Sequence, residues 1–258
     1  MLLAIDTGNT QTVLGLIRDG EILRSWRITS DGTRTEDELW VYVHLLCHDA
    51  GISIPDIKRT VISSVVPQMN AGLRDMSREY LNTDPLFVTP SLPFKHNFLE
   101  GRFQTLGADR ICNMYAGLTA YPLPQIIIDF GTATTVDILD SEGKYLGGSI
   151  APGIRTSSAN LFRAAAQLHG IAMEFPEHVI GTDTSSQLRS GILWGAVDQT
   201  DGMVRRIIRE TGLSFPTILS TGGLAEMVSS RSETITKTIP DLTLKGLTAI
   251  ADEIIPEP

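Results

Sequence analysis

The chain has 258 residues, 42% of them hydrophobic and 20% charged, as expected for a globular protein with one large domain or two of roughly 100–150 residues. Its formal net charge of −9 makes nucleic acid an unfavourable partner, and no apolar run approaches the roughly 18–20 residues of a membrane span. With only two cysteines and no basic segment before the first apolar run, the sequence suggests neither disulfides nor a signal peptide and predicts a cytoplasmic protein.

The first predicted element is a strand that ends at an acidic turn. Residues 2–5 form a short apolar run, and Asp6-Thr7-Gly8 follows it directly. A second apolar stretch, an Asp-Gly turn at residues 19–20 and a third stretch come next, which predicts a meander of three antiparallel strands. The carboxylate of Asp6 is therefore expected at the end of a buried strand.

The rest of the first half alternates helices and strands. Thr35 and Glu38 have the spacing of a capping box, which predicts the start of a helix. The next predicted elements, in chain order, are strands at residues 61–66 and 86–88, a helix after Gly107, and a turn-rich joint at residues 121–124.

The opening meander recurs 123 positions further along the chain. Residues 2–23 fall on residues 125–146, and eight of the 22 aligned pairs are identical, where random pairing would give about one or two. The identical pairs are Ile5/Ile128, Asp6/Asp129, Gly8/Gly131, Thr12/Thr135, Val13/Val136, Leu16/Leu139, Gly20/Gly143 and Leu23/Leu146. Two unrelated hairpins are the alternative, but the turns match as well as the strands. We therefore predict a duplicated domain, with an N-terminal half at residues 1–118 and a C-terminal half at 119–258.

The second half also alternates helices and strands after its meander. The predicted elements are a helix at residues 154–168, a helical stretch at 185–210, a strand at 217–220 that ends in Thr221-Gly222-Gly223, and a last helix from Asp241. Gly191 and Gly195 lie four apart on the helical stretch, which would let another helix come close. Meanders followed by alternating helices and strands predict an α/β fold with mixed sheets.

Each Asp-x-Gly turn has the composition of a phosphate-binding element. Gly8 lets the backbone approach a ligand, and the following amides, with the hydroxyls of Thr10 and Thr12, are expected to point into the same space. Because a carboxylate repels phosphate, Asp6 should act through Mg²⁺ or through its water shell. The copy at Asp129 predicts a second such cradle, and two cradles across a cleft suit phosphoryl transfer from ATP.

Other nucleotide-binding motifs are absent from the sequence. Neither Gly-x-x-x-x-Gly-Lys-Ser/Thr nor Gly-x-Gly-x-x-Gly occurs, which disfavours a P-loop or a dinucleotide fold. Thr221-Gly222-Gly223 follows a predicted strand and precedes a helix. A simple turn is one interpretation; beside the two cradles we favour contact of Gly222 and Gly223 with the nucleotide.

The chain resembles the type III pantothenate kinases of the actin-like kinase superfamily along nearly its whole length. The stretches that carry this likeness are Asp6-x-Gly8-Asn9-Thr10, Ile62-Ser63-Ser64-Val65-Val66-Pro67, Gly107-Ala108-Asp109-Arg110, Asp129-Phe130-Gly131-Thr132-Ala133-Thr134-Thr135, Gly147-Gly148-x-Ile150-Ala151-Pro152-Gly153 and Asp241-Leu242-Thr243-Leu244-Lys245-Gly246-Leu247. The resemblance implies two ribonuclease-H-like domains and phosphorylation of pantothenate by ATP, the first step of coenzyme A synthesis. It also implies Mg²⁺, a monovalent cation such as K⁺ or NH₄⁺, and a homodimer whose partner subunit helps to close the substrate pocket.

The resemblance also implies roles for single residues. Those that match the ATP and phosphate contacts are Asp6, Thr7, Gly8, Asn9, Thr10, Gln11, Thr12, Val13 and Thr132. Those that match pantothenate contacts are Gly107, Ala108, Asp109, Arg110 and Thr184. Asp109 matches the catalytic base, and Asp129 matches the ligand of the monovalent cation.

Elementary chemistry supports the roles of Asp109 and Arg110. An alcohol that attacks phosphorus needs a group to accept its proton, and a carboxylate can do so. Asp109 is expected at the start of a helix, whose dipole should keep it ionised. The Arg110 guanidinium suits a substrate carboxylate. The alternatives are a helix cap for Asp109 and a surface charge for Arg110.

The segment at residues 94–106 departs from the family pattern. Relatives usually have a Tyr-Asp-Asn-Pro run there, and its Tyr lines the pantothenate site; this chain lacks that Tyr. His96, Phe98 and Phe103 are the candidates to replace it, so we predict that pantothenate is bound differently. Two rival functions stay open: a kinase of the same superfamily with another small hydroxylated substrate, and a non-catalytic regulatory relative that binds nucleotide or pantothenate.

Overall fold

The computed structural model describes residues 1–165 and 170–255. Two compact units divide the chain. The first comprises Met1–Ala120 together with Leu242–Pro258, and the second comprises Tyr121–Asp241. Within the described residues each unit is built on a five-stranded sheet that mixes parallel and antiparallel pairs. The predicted duplicated α/β architecture with mixed sheets is confirmed.

The strands form two sheets of similar order. They are β1 (Leu2–Thr7), β2 (Gln11–Arg18), β3 (Glu21–Thr29), β4 (Arg59–Ser64), β5 (Leu86–Phe87), β6 (Gln125–Phe130), β7 (Ala133–Leu139), β8 (Tyr145–Pro152), β9 (Thr217–Thr221) and β10 (Lys237–Thr238). The first sheet has the order β3-β2-β1-β4-β5 and the second the order β10-β9-β6-β7-β8. In each sheet an antiparallel meander adjoins parallel strands, so the acidic strand β1 or β6 is central.

Helices cover the sheets. They are α1 (Glu36–Asp49), α2 (Asn70–Tyr80), α3 (Ala108–Ala120), α4 (Ile154–Ala164), α5 (Thr184–Arg189), α6 (Gly195–Thr211), α7 (Ala225–Ser229) and α8 (Leu242–Ile254). Short 3-10 turns lie at Ile54–Asp56 and Pro67–Met69, and a π-helical turn, Ser190–Trp194, joins α5 to α6. Within the described residues none of the helices combines the length and the hydropathy that a bilayer crossing demands.

The capping box at the start of α1 is confirmed. The Thr35 side chain accepts a hydrogen bond from the Glu38 amide at 3.3 Å, and the Glu38 carboxylate accepts one from the Thr35 amide at 3.0 Å. Leu39 and Val43 then fall on the buried face of α1, in one apolar cluster with Ile5 of β1. The local signal thus fixes where α1 begins, and the spacing of its apolar residues fixes which face is buried.

The last helix belongs to the first unit. α8 packs against α3, β1 and β4, and Arg59 of β4 forms an ion pair with Asp252 of α8 at 2.8 Å. At the closest point a Cβ on Gly246 would overlap the carbonyl oxygen of Cys112 in α3. The division into residues 1–118 and 119–258 placed this helix in the second half. The apolar face of α8 packs against the first sheet, so the chain returns to the first unit.

The second unit holds the elements predicted after the repeat, with different bounds. Helix α4 ends at Ala164, and the rest of the predicted helix up to residue 168 falls partly outside the described residues. The predicted helix at 185–210 contains the π-helical turn. Among the described residues, a Cβ on Gly191 or Gly195 would meet no atom within 4 Å. The expectation that another helix packs closely against these glycines is therefore wrong within this unit.

The two copies of the Asp-x-Gly hairpin differ by one residue. Between β1 and β2 the turn has three residues, 8–10, and Asp6 pairs with Val13. Between β6 and β7 it has two residues, 131–132, and Asp129 pairs with Thr135. Because side chains alternate along a strand, this shift changes which side chain faces the acid. The duplicated turns are therefore similar in sequence and distinct in geometry.

Candidate active site

The first turn holds Asp6 at the end of the central strand of its sheet. The Gly8 amide donates to the Gln11 carbonyl at 3.0 Å and closes the turn. A Cβ on Gly8 would lie only 3.2 Å from that same oxygen, so a larger residue would press on the turn. Asn9, Thr10 and Gln11 are exposed at its tip. The residues predicted to contact phosphate therefore fall into two groups, one exposed at the tip of the turn and one buried in the sheet.

The buried part of the turn contains two threonines whose side chains are not accessible to a ligand. Thr7 and Thr12 are fully buried. The Thr12 hydroxyl forms a hydrogen bond with the Ser30 hydroxyl at 2.9 Å, and the Thr7 hydroxyl has no hydrogen-bond partner among the described residues. The expectation that the Thr12 hydroxyl points towards phosphate does not fit this geometry. Of the two threonines whose hydroxyls were predicted to face phosphate, Thr10 and Thr12, only Thr10 is exposed.

Asp6 is held from the neighbouring parallel strand. Ser63 of β4 is the register partner of Asp6, and its hydroxyl donates to Asp6 Oδ1 at 2.9 Å. Ser63 itself is fully buried. The sequence contains Ser63 in a family stretch, but only the pairing of β1 with β4 places it beside the acid.

Asp109 lies in the first turn of α3. Its Oδ1 accepts a hydrogen bond from the Arg110 amide at 2.8 Å, and a Cβ on Gly107 would lie 2.5 Å from the same oxygen. Burial raises the pKa of the Asp109 carboxyl, and the charge and amide of Arg110 only partly offset that effect. The helix dipole was predicted to keep this carboxyl ionised, and the largest effect on its pKa acts in the opposite direction, because burial disfavours the charged form.

The Cys112 thiol is affected by the charges of both Asp109 and Asp6. It lies one helical turn after Asp109 and is fully buried. Burial raises the pKa of the Cys112 thiol well above its usual value, the Asp6 and Asp109 carboxylates raise it further, and a hydrogen bond with Ser63 lowers it. The thiol therefore stands near both carboxylates. The first unit brings the predicted base and the predicted Mg²⁺ residue into one neighbourhood.

The second turn is closed by the start of α4. The Gly131 amide donates to the Ala133 carbonyl at 3.1 Å, and the Thr132 carbonyl accepts from the Gly153 amide at 3.0 Å and from the Thr156 hydroxyl at 2.7 Å. A Cβ on Gly153 would lie 2.5 Å from the Thr132 oxygen. The residue Thr132 is itself exposed. Its backbone is fixed while its side chain is accessible.

Gly222 packs directly against Asp129. Its φ of +94° is in the range that favours glycine, and a Cβ would overlap Asp129 Oδ1 and lie 2.7 Å from the Phe130 carbonyl. Gly223, one residue later, is exposed, and a Cβ there would meet no described atom within 4 Å. The second unit therefore brings Asp129 and Gly222 together and leaves open space over Gly223.

Thr184 lies at the start of a short helix of the second unit. It is the first residue of α5, after the N-cap Asp183, and it is exposed. The Asp183 side chain accepts from the Ser186 amide at 3.1 Å. This helix packs on the π-helical turn. Its role in substrate binding stays a prediction.

The divergent segment 94–106 is fastened to the first unit by aromatic and polar contacts. Phe98 is buried and packs against Phe94 and Tyr115. The Lys95 amide donates to Glu253 of α8 at 2.7 Å. Phe98 therefore serves the core and cannot line a substrate pocket. His96 is exposed, and Phe103 is half-buried at a φ of +63°, so these two stay as the candidates to replace the missing Tyr.

The acidic turns suit a metal that brings most of its own ligands. Within the described residues there is no group of three or more His, Cys, Asp or Glu side chains that could enclose an ion. Mg²⁺ in phosphoryl-transfer sites keeps several waters and binds one or two carboxylates together with the phosphates. Asp6, with hard oxygen donors at the end of β1, fits that role.

Known proteins resemble this chain in sequence and in fold. A family model described as type III pantothenate kinase matches residues 2–206. A type III pantothenate kinase of Halalkalibacterium halodurans is 40% identical over 250 residues, which are 97% of this chain and 98% of the relative.

Two solved structures share the fold at low identity. Component A of the (R)-2-hydroxyglutaryl-CoA dehydratase of Acidaminococcus fermentans is 14% identical, with a TM-score of 0.56 over 97% of this chain and 95% of that one. The activator of the 2-hydroxyisocaproyl-CoA dehydratase of Clostridium difficile, solved with bound ADPNP, is 13% identical, with a TM-score of 0.53 over 98% and 93%. The predicted fold class, two duplicated ribonuclease-H-like units of the actin-like type, is confirmed.

Proposed function

The chain belongs to the type III pantothenate kinase family, and from this membership we propose how its own residues divide the work of the reaction. The enzyme phosphorylates pantothenate with ATP, accompanied by Mg²⁺, to give 4'-phosphopantothenate in coenzyme A biosynthesis. The observation that carries the proposal is that one unit holds both Asp6, oriented by Ser63 at the end of β1, and Asp109, in the first turn of α3, and that both carboxylates raise the pKa of the buried Cys112 thiol.

Asp109 acts as the general base. The hydroxyl oxygen of pantothenate forms a bond to the γ-phosphorus, the bond from that phosphorus to the bridging oxygen breaks, and ADP leaves. The hydroxyl proton goes to the Asp109 carboxylate. The raised pKa of Asp109 brings its basicity closer to that of an effective base near neutral pH, while an ordinary Asp would be a weaker proton acceptor. Gly107 supports this role because it leaves room for the carboxylate.

Asp6 and the turn after it serve the phosphates. The exposed backbone and side chains of residues 9–11 can donate hydrogen bonds to phosphate oxygens. Of Thr10 and Thr12, only Thr10 contributes its hydroxyl to this contact. Asp6 holds Mg²⁺ directly or through its water shell, and that ion supplies charge neutralisation on the phosphates. The buried Thr7 and Thr12 and the half-buried Val13 then support the turn from within the sheet.

Asp129 and Gly222 form the proposed nucleotide contact of the second unit. We assign Asp129 to a monovalent cation, K⁺ or NH₄⁺, since a single carboxylate beside backbone oxygens suits an ion of low charge. Thr132 contributes its exposed hydroxyl, and the open space over Gly223 accommodates a flat part of the nucleotide. These roles rest on the resemblance and on the close packing of Gly222 against Asp129.

Gly107, Ala108, Arg110 and Thr184 complete the substrate assignment. The Arg110 guanidinium pairs with the carboxylate of pantothenate. We further propose a homodimer in the cytoplasm. Large apolar side chains exposed on the second unit, such as Ile150 at 65% and Ile180 at 84%, suit a surface that a second copy covers, and the two buried free cysteines fit a reducing compartment.

The test of this function is ADP release by the purified protein. With Mg²⁺ and K⁺ both present, adding pantothenate should raise ADP release far above the rate with ATP alone, and omitting K⁺ should lower it. A mass-spectrometric assay should detect 4'-phosphopantothenate in equal amount. A protein that binds ATP and pantothenate without turnover, or that responds only to another hydroxylated compound, would contradict the proposal.

A further inference from the structure

A fully buried serine is hydrogen-bonded to Asp6 in the first unit. Ser63 occupies the position on β4 that pairs with Asp6 of β1, and its hydroxyl donates to Asp6 Oδ1 at 2.9 Å. The donor is neutral, so it fixes the carboxylate without cancelling its charge. The carboxylate therefore keeps the negative charge with which it can meet a cation or its water shell.

The Ser63 hydroxyl has a second neighbour, on α3. The Cys112 thiol of α3 is its neighbour and shares a hydrogen bond with it. Cys112 is held in turn by α8, since its carbonyl oxygen touches the backbone of Gly246 so closely that a Cβ would overlap it. Ser63 therefore has little freedom to rotate away from Asp6.

The internal repeat offers a comparison within the molecule. Thr221 of β9 pairs with Asp129 in the same way that Ser63 pairs with Asp6, and it is also buried. Its hydroxyl, however, donates to the Pro240 carbonyl at 3.5 Å. The strand residue that pairs with the acid therefore donates its hydroxyl to that acid in the first copy and to a backbone carbonyl in the second.

We propose that Ser63 is a positioning residue that holds the Asp6 carboxylate in the orientation in which it meets the cation bound with ATP. This inference rests on the proposed role of Asp6. Partners that orient a metal-binding carboxylate typically change metal affinity by about 10–100-fold when they are removed. The loss should fall on metal-dependent binding of ATP and leave metal-free binding of ATP nearly unchanged.

The experiment measures ATP binding to the full chain by calorimetry, without pantothenate, once with Mn²⁺ and once with EDTA. Ser63→Ala should weaken Mn²⁺·ATP binding about 10–100-fold and change binding in EDTA little. Thr60→Val is the matched control, because Thr60 is a buried hydroxyl on the same strand that bonds only to Thr83, at 2.7 Å, among the bonds described for it. Equal behaviour of the two variants would overturn the inference.

Asp6→Asn separates this inference from the function on which it rests. If Asp6→Asn weakens Mn²⁺·ATP binding and Ser63→Ala does not, the positioning role alone is wrong. If Asp6→Asn binds Mn²⁺·ATP as the unaltered protein does, the proposed role of Asp6 fails, and the inference with it. Should Ser63→Ala not fold, Ser63→Cys keeps a weaker donor of similar size; it should show an intermediate loss, and unchanged affinity would count against the proposal.

Discussion

The proposed base is a carboxyl whose burial favours its protonated form. Burial raises the pKa of Asp109 above its unfolded value, so the folded protein binds this proton more tightly than the unfolded chain does. The contribution of Asp109 to stability is therefore fully present below the unfolded pKa and is lost as the pH rises through the folded pKa. At neutral pH the charged side chain weakens the fold that positions it.

Asp109→Asn should therefore separate activity from stability. Removing a general base lowers kcat by about 10²–10⁴-fold, whereas ATP binding should change little. The variant should also melt at a higher temperature than the unaltered protein at pH 8, and this difference should shrink as the pH falls to about 4, near the unfolded pKa. Steady-state kinetics and thermal unfolding at both pH values measure these effects. A variant that keeps most of its kcat would require another base.

Two adjacent glycines should respond differently to the same substitution. Gly222→Ala places a methyl group against Asp129 Oδ1 at a φ of +94°, and we expect it to cost about 3 kcal/mol of stability. Gly223→Ala meets open space, so stability should stay the same while ATP affinity falls. Chemical denaturation and ATP titration of both variants check this. Equal losses of stability would contradict the structural distinction, and unchanged ATP affinity in Gly223→Ala would remove Gly223 from the nucleotide site.

At the scale of elements, the contact between α3 and α8 positions the proposed base. Thr243 of α8 donates to Asn113 of α3 at 2.8 Å, and the Glu253 carboxylate accepts from the Tyr115 hydroxyl. Gly246 permits the closest approach of the two helices. Since Asp109 and Cys112 are carried by α3, any shift of this helix changes the distance from the base to Asp6.

Gly246→Ala should therefore destabilise the protein by about 3 kcal/mol or more, because the methyl group would overlap the backbone of α3. Turnover should fall with stability even at temperatures where the variant is folded. Gly202→Ala is the matched control, since Gly202 also lies in a helix but has open space around it; it should be neutral or stabilising by up to about 1 kcal/mol. Thermal unfolding and kinetics compare the two. Unchanged stability in Gly246→Ala would contradict the packing.

The sequence predicted the secondary-structure elements better than it predicted the contacts between them. The capping box at Thr35 and the strand that ends at Asp6 depend on neighbouring residues, and both are found where expected. The buried hydroxyl of Thr12 and the raised pKa of Asp109 depend on burial. Burial is decided by parts of the chain far away, which a reading of periodicity and motifs does not supply. The position of α8 was missed for the same reason.

At the scale of the whole molecule, the duplication explains why both units have the same architecture. It does not give the two units the same proposed role. Both units place an acid at the end of a central strand. The longer turn after Asp6 and the shorter turn after Asp129 have diverged, as have the hydroxyls of Ser63 and Thr221. The two copies therefore differ in geometry at the positions where the proposed Mg²⁺ and the proposed monovalent cation are assigned.

The return of α8 to the first unit also has a consequence for how the chain is made. The second unit is continuous in sequence, whereas the first requires residues from both ends. A chain that leaves the ribosome from its N-terminus can assemble the second unit before α8 exists, and only then close the first. The first unit, which carries the proposed base, is therefore complete only after α8 has been made, and we expect a nascent chain that still lacks α8 to be inactive.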